Sequence, residues 1–148
     1  MEKRLVTVRV LGIMEQNGER EEVETLSDGF VRISGNETEI VYKEVTEDEG
    51  EIKVRAIFTK SVETGLYECR IEKTGMIKSL MLFIRDCETL CTYNTPFGEL
   101  GFEIYTSFVD YKEEEGNIRG SLKYVLSSNG IPVSEAEVKI MAIGKACS

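Results

Sequence analysis

Apolar and polar residues alternate with a period of two along most of this chain. The longest alternating stretch, residues 93–126, predicts a long strand, an acidic turn at residues 112–117 and a return strand. One face of each strand is apolar and carries, in turn, Phe102, Ile104, Thr106 and Phe108, and then Ile118, Leu122, Tyr124 and Leu126. Alternation of this length between turn residues is typical of a β-hairpin.

The rest of the chain repeats the same pattern in shorter pieces. Further strands are predicted at residues 4–14, 21–26, 30–34, 38–45, 52–60, 66–73, 79–84 and 135–143, with a less regular segment at 88–94. Asn17-Gly18 is typical of a type I′ hairpin, and Asp28-Gly29 predicts another turn. Because no helical period, linker or repeat interrupts the pattern, the sequence predicts one all-β domain over residues 1–148.

The number of predicted strands, joined by short connections, limits the possible architectures. About eight to ten strands in a meander approach the limit of an open twisted sheet, which rarely exceeds about ten strands. Open edges also invite pairing with other chains. The sequence therefore predicts a closed up-and-down antiparallel β-barrel, with a β-sandwich as the alternative.

The net charge and the lengths of the apolar segments limit the partners and the cellular location that we expect for the protein. The chain has 18 Lys and Arg against 27 Asp and Glu, a formal net charge of −9. Nucleic acids and anionic membranes select basic patches, so we expect neither as a partner. Arg9 interrupts the first apolar run, no cleavage signal follows it, and no segment reaches the roughly 20 apolar residues of a membrane span. We therefore expect a cytoplasmic location.

The residue inventory also limits the chemistry. There is no histidine, which excludes His-dependent nucleophiles and His-ligated metals. Cys87 and Cys91 would lie about 13 Å apart on a strand, beyond the roughly 7 Å between Cα atoms that a disulfide requires. The acidic run at residues 46–51 departs from a calcium-binding loop and predicts a solvated hairpin end. We expect no metal and no cofactor.

Several short motifs resemble one known family. They are residues 95–100 (TPFGEL) with Tyr93 before them, Gly75 and Lys78 with Phe83 downstream, and Gly116 and Ile118 with Tyr124 downstream. This set resembles the YwiB-like family of small uncharacterised bacterial proteins. The resemblance implies a calycin-like barrel, similar to lipocalins and fatty-acid-binding proteins, and no assigned activity. The resemblance implies an arginine at the position of Lys73. An arginine could bind a ligand anion through two parallel N–H donors, whereas the lysine ammonium offers a single compact charge.

The remaining chemistry favours binding over catalysis. A barrel of this size can hold one small ligand, and we expect a small, partly apolar molecule in the interior. Candidate binding residues at the interior or mouth are Lys73, Lys78, Arg85, Tyr93, Phe102, Thr106, Phe108 and Tyr124. The alternative is a solid interaction module, monomeric or homodimeric, whose outer patch is Tyr105, Val109 and Tyr111. An enzyme would need an unassigned acid or tyrosine chemistry in the cavity.

Overall fold

Ten antiparallel strands account for most of the chain. The structure, a computed structural model, describes residues 3–47 and 50–145. The strands are β1 (Lys3–Gln16), β2 (Glu19–Ser34), β3 (Glu37–Thr46), β4 (Gly50–Lys60), β5 (Tyr67–Thr74), β6 (Lys78–Phe83), β7 (Cys87–Thr95), β8 (Gly98–Glu114), β9 (Asn117–Ser128) and β10 (Ile131–Gly144). Each strand pairs with its neighbours in the chain, and β10 pairs with β1. The predicted closed barrel is confirmed, and the sandwich alternative falls away.

The period-two alternation fills the barrel as expected. On β4, Ile52, Val54, Ala56 and Phe58 are all buried. On β1, Val6 and Val8 are buried, whereas Leu5, on the opposite face of the strand, is exposed. Alternate side chains of a strand point to opposite faces, so one face of every strand can supply the core. Within the described residues, no helix is long and apolar enough to cross a membrane.

Two-residue turns join several of the strands. Asn17 and Gly18 have φ angles of 53° and 78°, and Asn129 and Gly130 have 52° and 80°. Positive φ at both central residues is the requirement of a type I′ hairpin, so the predicted Asn-Gly turn is confirmed. The predicted hairpin end at residues 46–51 falls partly outside the described residues. Glu47 and Glu51 on its two sides are exposed.

The turn predicted at Asp28-Gly29 is wrong, because both residues lie inside the 16-residue strand β2. Gly29 pairs with Val6 on one side and Tyr42 on the other. A Cβ atom on Gly29 would stand 2.3 Å from the carbonyl oxygen of Val41. The glycine therefore permits a close approach of β2 and β3 and does not turn the chain.

A β-bulge changes the orientation of the second half of β8. Its pairing with β9 shifts between Thr106 and Phe108, so Thr106 lies opposite Tyr124 while Phe108 lies opposite the exposed Lys123. An extra residue in one strand reverses the faces that follow it. The prediction that Phe108 shares the interior face is therefore wrong, and Val109 turns inward in its place, at 3% exposure.

The ladders around the barrel differ in length. We call the end with the β1–β2, β3–β4, β5–β6, β7–β8 and β9–β10 turns the top, and the other end the bottom. Strands β1 and β2 pair over fourteen positions, whereas β2 and β3 pair over six, residues 29–34 with 37–42. Strands β6 and β7 pair over only three, residues 78–80 with 92–94. This β6–β7 seam is where the wall is least connected.

Candidate functional site

One row of polar side chains crosses the inside of the barrel near the top. Residue pairing runs from the buried Val54 to Lys73, then to Ser79 and Tyr93 on the next two strands. Directly paired residues share a face, so all three polar residues face inward with Val54. The Lys73 ammonium pairs with Glu44 at 3.3 Å, and both side chains are partly buried. The row therefore combines a cation, a hydroxyl and a phenol at one level.

Two tyrosines and a thiol lie together beside this row. Burial raises the pKa of Tyr124 to about 12 and raises the pKa of Tyr93 above its usual range, and the nearby Cys91 thiol adds to both shifts. The Tyr93 hydroxyl donates to Met81 Sδ at 3.5 Å, and its ring meets Phe102 at 5.4 Å between centroids. Both phenols are therefore neutral donors at ordinary pH.

Two interior hydroxyls lack a partner among the described residues. Thr106 is fully buried, Ser79 is 8% exposed, and neither Oγ atom has a hydrogen bond to the protein. Buried hydroxyls are usually paired, so each is an unusual feature. Thr38 shows the usual case, since its hydroxyl lies 3.0 Å from that of Tyr111. Thr106 and Ser79 could each bond an additional polar group.

A surface cleft of about 510 Å³ covers the β6–β7 seam. Its lining includes the inward-facing Lys73 and Ser79, the outward-facing Lys78, and the exposed side chains of Leu80 and Leu90. Lys78 and the two leucines therefore face this opening from the outer side, while the Lys73 and Ser79 side chains lie on the inner side of the wall. We call this opening the seam cleft.

The structure separates the predicted binding residues into groups. Lys73, Tyr93, Phe102, Thr106 and Tyr124 belong to the interior, where the Tyr124 ring packs 4.9 Å from that of Phe83. Lys78 is exposed on the rim of the seam cleft. These six occupy one continuous region of β5–β9.

The other two predicted residues form a separate group on the outer face. The Arg85 guanidinium lies 5.0 Å above the Phe108 ring, and its Nη2 donates to the carbonyl oxygen of Val109 at 2.9 Å. Lys123 lies over the same ring at 5.8 Å. A stacked cation of this kind stabilises the outer surface, so Arg85 and Phe108 are not brought together with the interior residues.

The predicted interaction patch on β8 is also wrong as a unit. Tyr105 is exposed, but Val109 is buried and the Tyr111 ring packs against Phe58 inside the barrel. The bulge after Thr106 is the cause, because it exchanges the two faces for every later residue of β8. A single exposed tyrosine remains of the patch.

Among the described residues, the cysteines and carboxylates form no cluster that could hold a metal ion. No group of three potential ligands converges there. Cys69, Cys87 and Cys91 are free thiols, and burial raises the pKa of Cys69 and of Cys91. Burial disfavours the thiolate, which is the reactive form. Cys147 lies outside the described residues.

Sequence reasoning missed several residues of the site. Glu44 and Ser79 complete the polar row, and Leu80 and Leu90 line the seam cleft. The apolar run at residues 80–84 was the available signal, since it exceeds what one buried face of a strand needs. Glu44 gave no signal, because its partner Lys73 is distant in the chain.

The fold and this site define a small, closed, ten-stranded antiparallel barrel with polar groups at one end of its interior. A family model described as "Domain of unknown function (DUF1934)" matches residues 8–140, and the chain belongs to that family. The chain is 27% identical over 115 residues to the uncharacterized beta-barrel protein YwiB of Bacillus subtilis (strain 168), covering 76% of each. The crystal structure of that ywiB protein matches with a TM-score of 0.83 at 22% identity, covering 97% of this chain and 94% of that one. The resemblance predicted from the short motifs is confirmed.

Proposed function

We propose that the barrel binds a small, partly apolar molecule at the seam cleft, without catalysing a reaction on it. The observation that carries the proposal is the composition of the cleft. Lys78, Leu80 and Leu90 face the cleft from the outer side, and the two leucines are 51% and 79% exposed. Lys73 and the Ser79 hydroxyl, which has no hydrogen-bond partner among the described residues, lie on the inner side of the same wall. Ligand sites commonly combine apolar walls with a few converging polar groups.

The state of the interior explains why the cleft suits a ligand better than the middle of the barrel. Val8, Ile104, Thr106 and Leu122 are all fully buried there. Packed side chains leave little room for a guest at that level. At the seam the ladder holds only three residue pairs, so a molecule in the cleft could reach the polar row without opening a long ladder.

The polar row would then serve recognition. Lys73 is held by Glu44, which fixes its ammonium while leaving two further protons to donate. The Tyr93 hydroxyl is protonated at neutral pH, as a phenol ordinarily is, and burial raises its pKa further. It is a donor, and in the protein it donates to Met81 Sδ. A lipocalin-like mode of binding, in which an apolar body is held by a few donors, fits this arrangement.

Titration with the apolar, anionic dye ANS (anilinonaphthalene sulfonate) tests the proposal. We expect saturable fluorescence with the wild type and binding weaker by about tenfold or more for Leu90→Asp, because burying a leucine is worth about 1.5–3 kcal/mol and 1.4 kcal/mol is a factor of ten. Lys73→Gln should also weaken binding. The matched control is Leu26→Asp, since Leu26 is 67% exposed on β2, away from the cleft.

Two results would count against the proposal. One is equal binding by Leu90→Asp and Leu26→Asp, which would show that the dye does not occupy the seam cleft. The other is a wild type that gives no saturable signal. Native mass spectrometry of freshly purified protein adds an independent reading, since a bound natural ligand would appear as an extra mass that denaturation removes.

A further inference from the structure

Arg4 is an inward-facing arginine at the bottom of the barrel. It pairs with the buried Val31 across the β1–β2 ladder, and Val6, the next inward residue of β1, is fully buried. Its side chain extends to the β8–β9 turn, where Nη1 lies 3.9 Å from the position that a Cβ atom on Gly116 would take. The guanidinium therefore lies across the bottom opening.

The hydrogen-bonding state of Arg4 differs from that of the paired arginines. Its Nε and Nη2 atoms are buried and have no hydrogen-bond partner among the described residues. Arg55, in contrast, bonds both Glu39 and Glu72. Within residues 3–47 and 50–145, Arg4 takes part in no ion pair.

An arginine in this state is a site for an anion. Arginine keeps its charge in proteins, and Arg4 is half-buried. Buried N–H donors without an acceptor cost free energy. Nε and Nη2 lie side by side on one edge of the planar guanidinium, which matches the two oxygens of a carboxylate. We propose that Arg4 binds the carboxylate group of a ligand at the bottom end of the barrel.

The neighbouring charges favour a carboxylate over a phosphate. Glu113 and Glu114 end β8 and Glu115 follows in the adjoining turn, just before Gly116. Their negative charge repels a dianion more strongly than a monoanion. Glu113 is already engaged, since it accepts a hydrogen bond from the Tyr111 hydroxyl at 3.3 Å. The apolar Val6 and Val31 beside Arg4 suit a ligand whose carboxylate carries a short hydrocarbon chain.

This site is separate from the seam cleft, which lies near the top of β5–β7. The two proposals therefore stand or fall independently. Dye binding at Leu90 does not depend on Arg4, and occupation of Arg4 leaves the cleft unchanged.

Proton–nitrogen NMR of the arginine Nε–H groups gives the direct test, with sodium butyrate as the probe. The Arg4 signal is assigned from its loss in Arg4→Lys, and the exposed Arg119 on β9 serves as the internal control. We expect a saturable shift of the Arg4 signal with butyrate, none with sodium chloride at the same ionic strength, and no saturable shift of Arg119. An unmoved Arg4 signal would overturn the proposal, as would movement with phosphate but not with butyrate.

Thermal unfolding without any added carboxylate supplies a second reading. Arg4→Met keeps an unbranched apolar stem and removes the two buried donors that have no acceptor, so the midpoint should rise by about 2 to 4 °C or more. The matched variant Arg119→Met removes the same charge from an exposed position and should change it little. A lower midpoint for Arg4→Met would overturn the proposal, because it would show that Arg4 already has a partner within the protein.

Discussion

Replacement of Thr106 by valine should stabilise the protein in the absence of a ligand. Thr106 is 0% exposed, and its Oγ1 has no hydrogen-bond partner among the described residues. Valine has the same shape and the same preference for strands, so the packing against Tyr124 on β9 is kept. A buried hydroxyl without a partner costs about 1–3 kcal/mol. We therefore expect the free energy of unfolding to rise by about 1–3 kcal/mol.

Thr38→Val is the matched variant, with the opposite expected sign. Thr38 is 7% exposed, and its hydroxyl bonds that of Tyr111 at 3.0 Å. A hydrogen bond of this kind contributes about 0.5–1.5 kcal/mol, so the free energy of unfolding should fall by that amount. The Tyr111 hydroxyl keeps Glu113 as a second partner at 3.3 Å, which limits the loss.

Urea unfolding followed by circular dichroism measures both variants. The midpoints should move in opposite directions while the slope of free energy against urea stays constant, since the area exposed on unfolding does not change. If Thr106→Val lowered the midpoint as much as Thr38→Val does, the Thr106 hydroxyl would be hydrogen-bonded in solution. Its burial would then carry no penalty for a missing partner.

Two further predictions concern the core and the pH range. Gly120→Ala should lower the free energy of unfolding by about 1–3 kcal/mol, because its Cβ would stand 2.2 Å from the Phe58 ring. The control is Gly101→Ala, which should be nearly neutral in the same urea experiment because a Cβ there would have nothing within 4 Å. Burial raises the pKa of Tyr124 to about 12; the unfolded chain therefore loses this proton first, near pH 10, and stability should fall from about pH 10 to pH 12. Tyr124→Phe should flatten that decline in unfolding experiments across this range, and an unchanged slope would contradict the assignment.

The strands and their closure could be predicted because both follow from local pattern. Period-two alternation in residues 52–60 predicted the strand that the structure shows as β4. Closure of the barrel could be predicted because the unpaired edge strands of a long meander would be free to pair with other chains. The Asn17-Gly18 turn was equally local, since its positive φ angles are a property of the two residues themselves. No contact between distant residues was needed for any of these.

The errors occurred where tertiary packing decides between two local patterns. Asp28-Gly29 has the composition of a turn, yet the approach of the Val41 carbonyl requires glycine within a continuous strand. The bulge after Thr106 leaves no mark on the alternation of β8, because Phe108 and Val109 are both apolar and either could face inward. One extra residue then reversed every later assignment on that strand.

The polar row shows why a binding site of this kind is only partly visible in a sequence. Lys73 and Tyr93 stood out individually, as a cation and a phenol on apolar strands. Their relation depends on the registers of three successive ladders, from Val54 through Lys73 and Ser79 to Tyr93. Each register is fixed by burial of the apolar residues that flank it, and a slip of one residue in any ladder would send the polar groups to solvent. The core of the barrel therefore positions the site. The polar side chains face a common interior only when the barrel is closed.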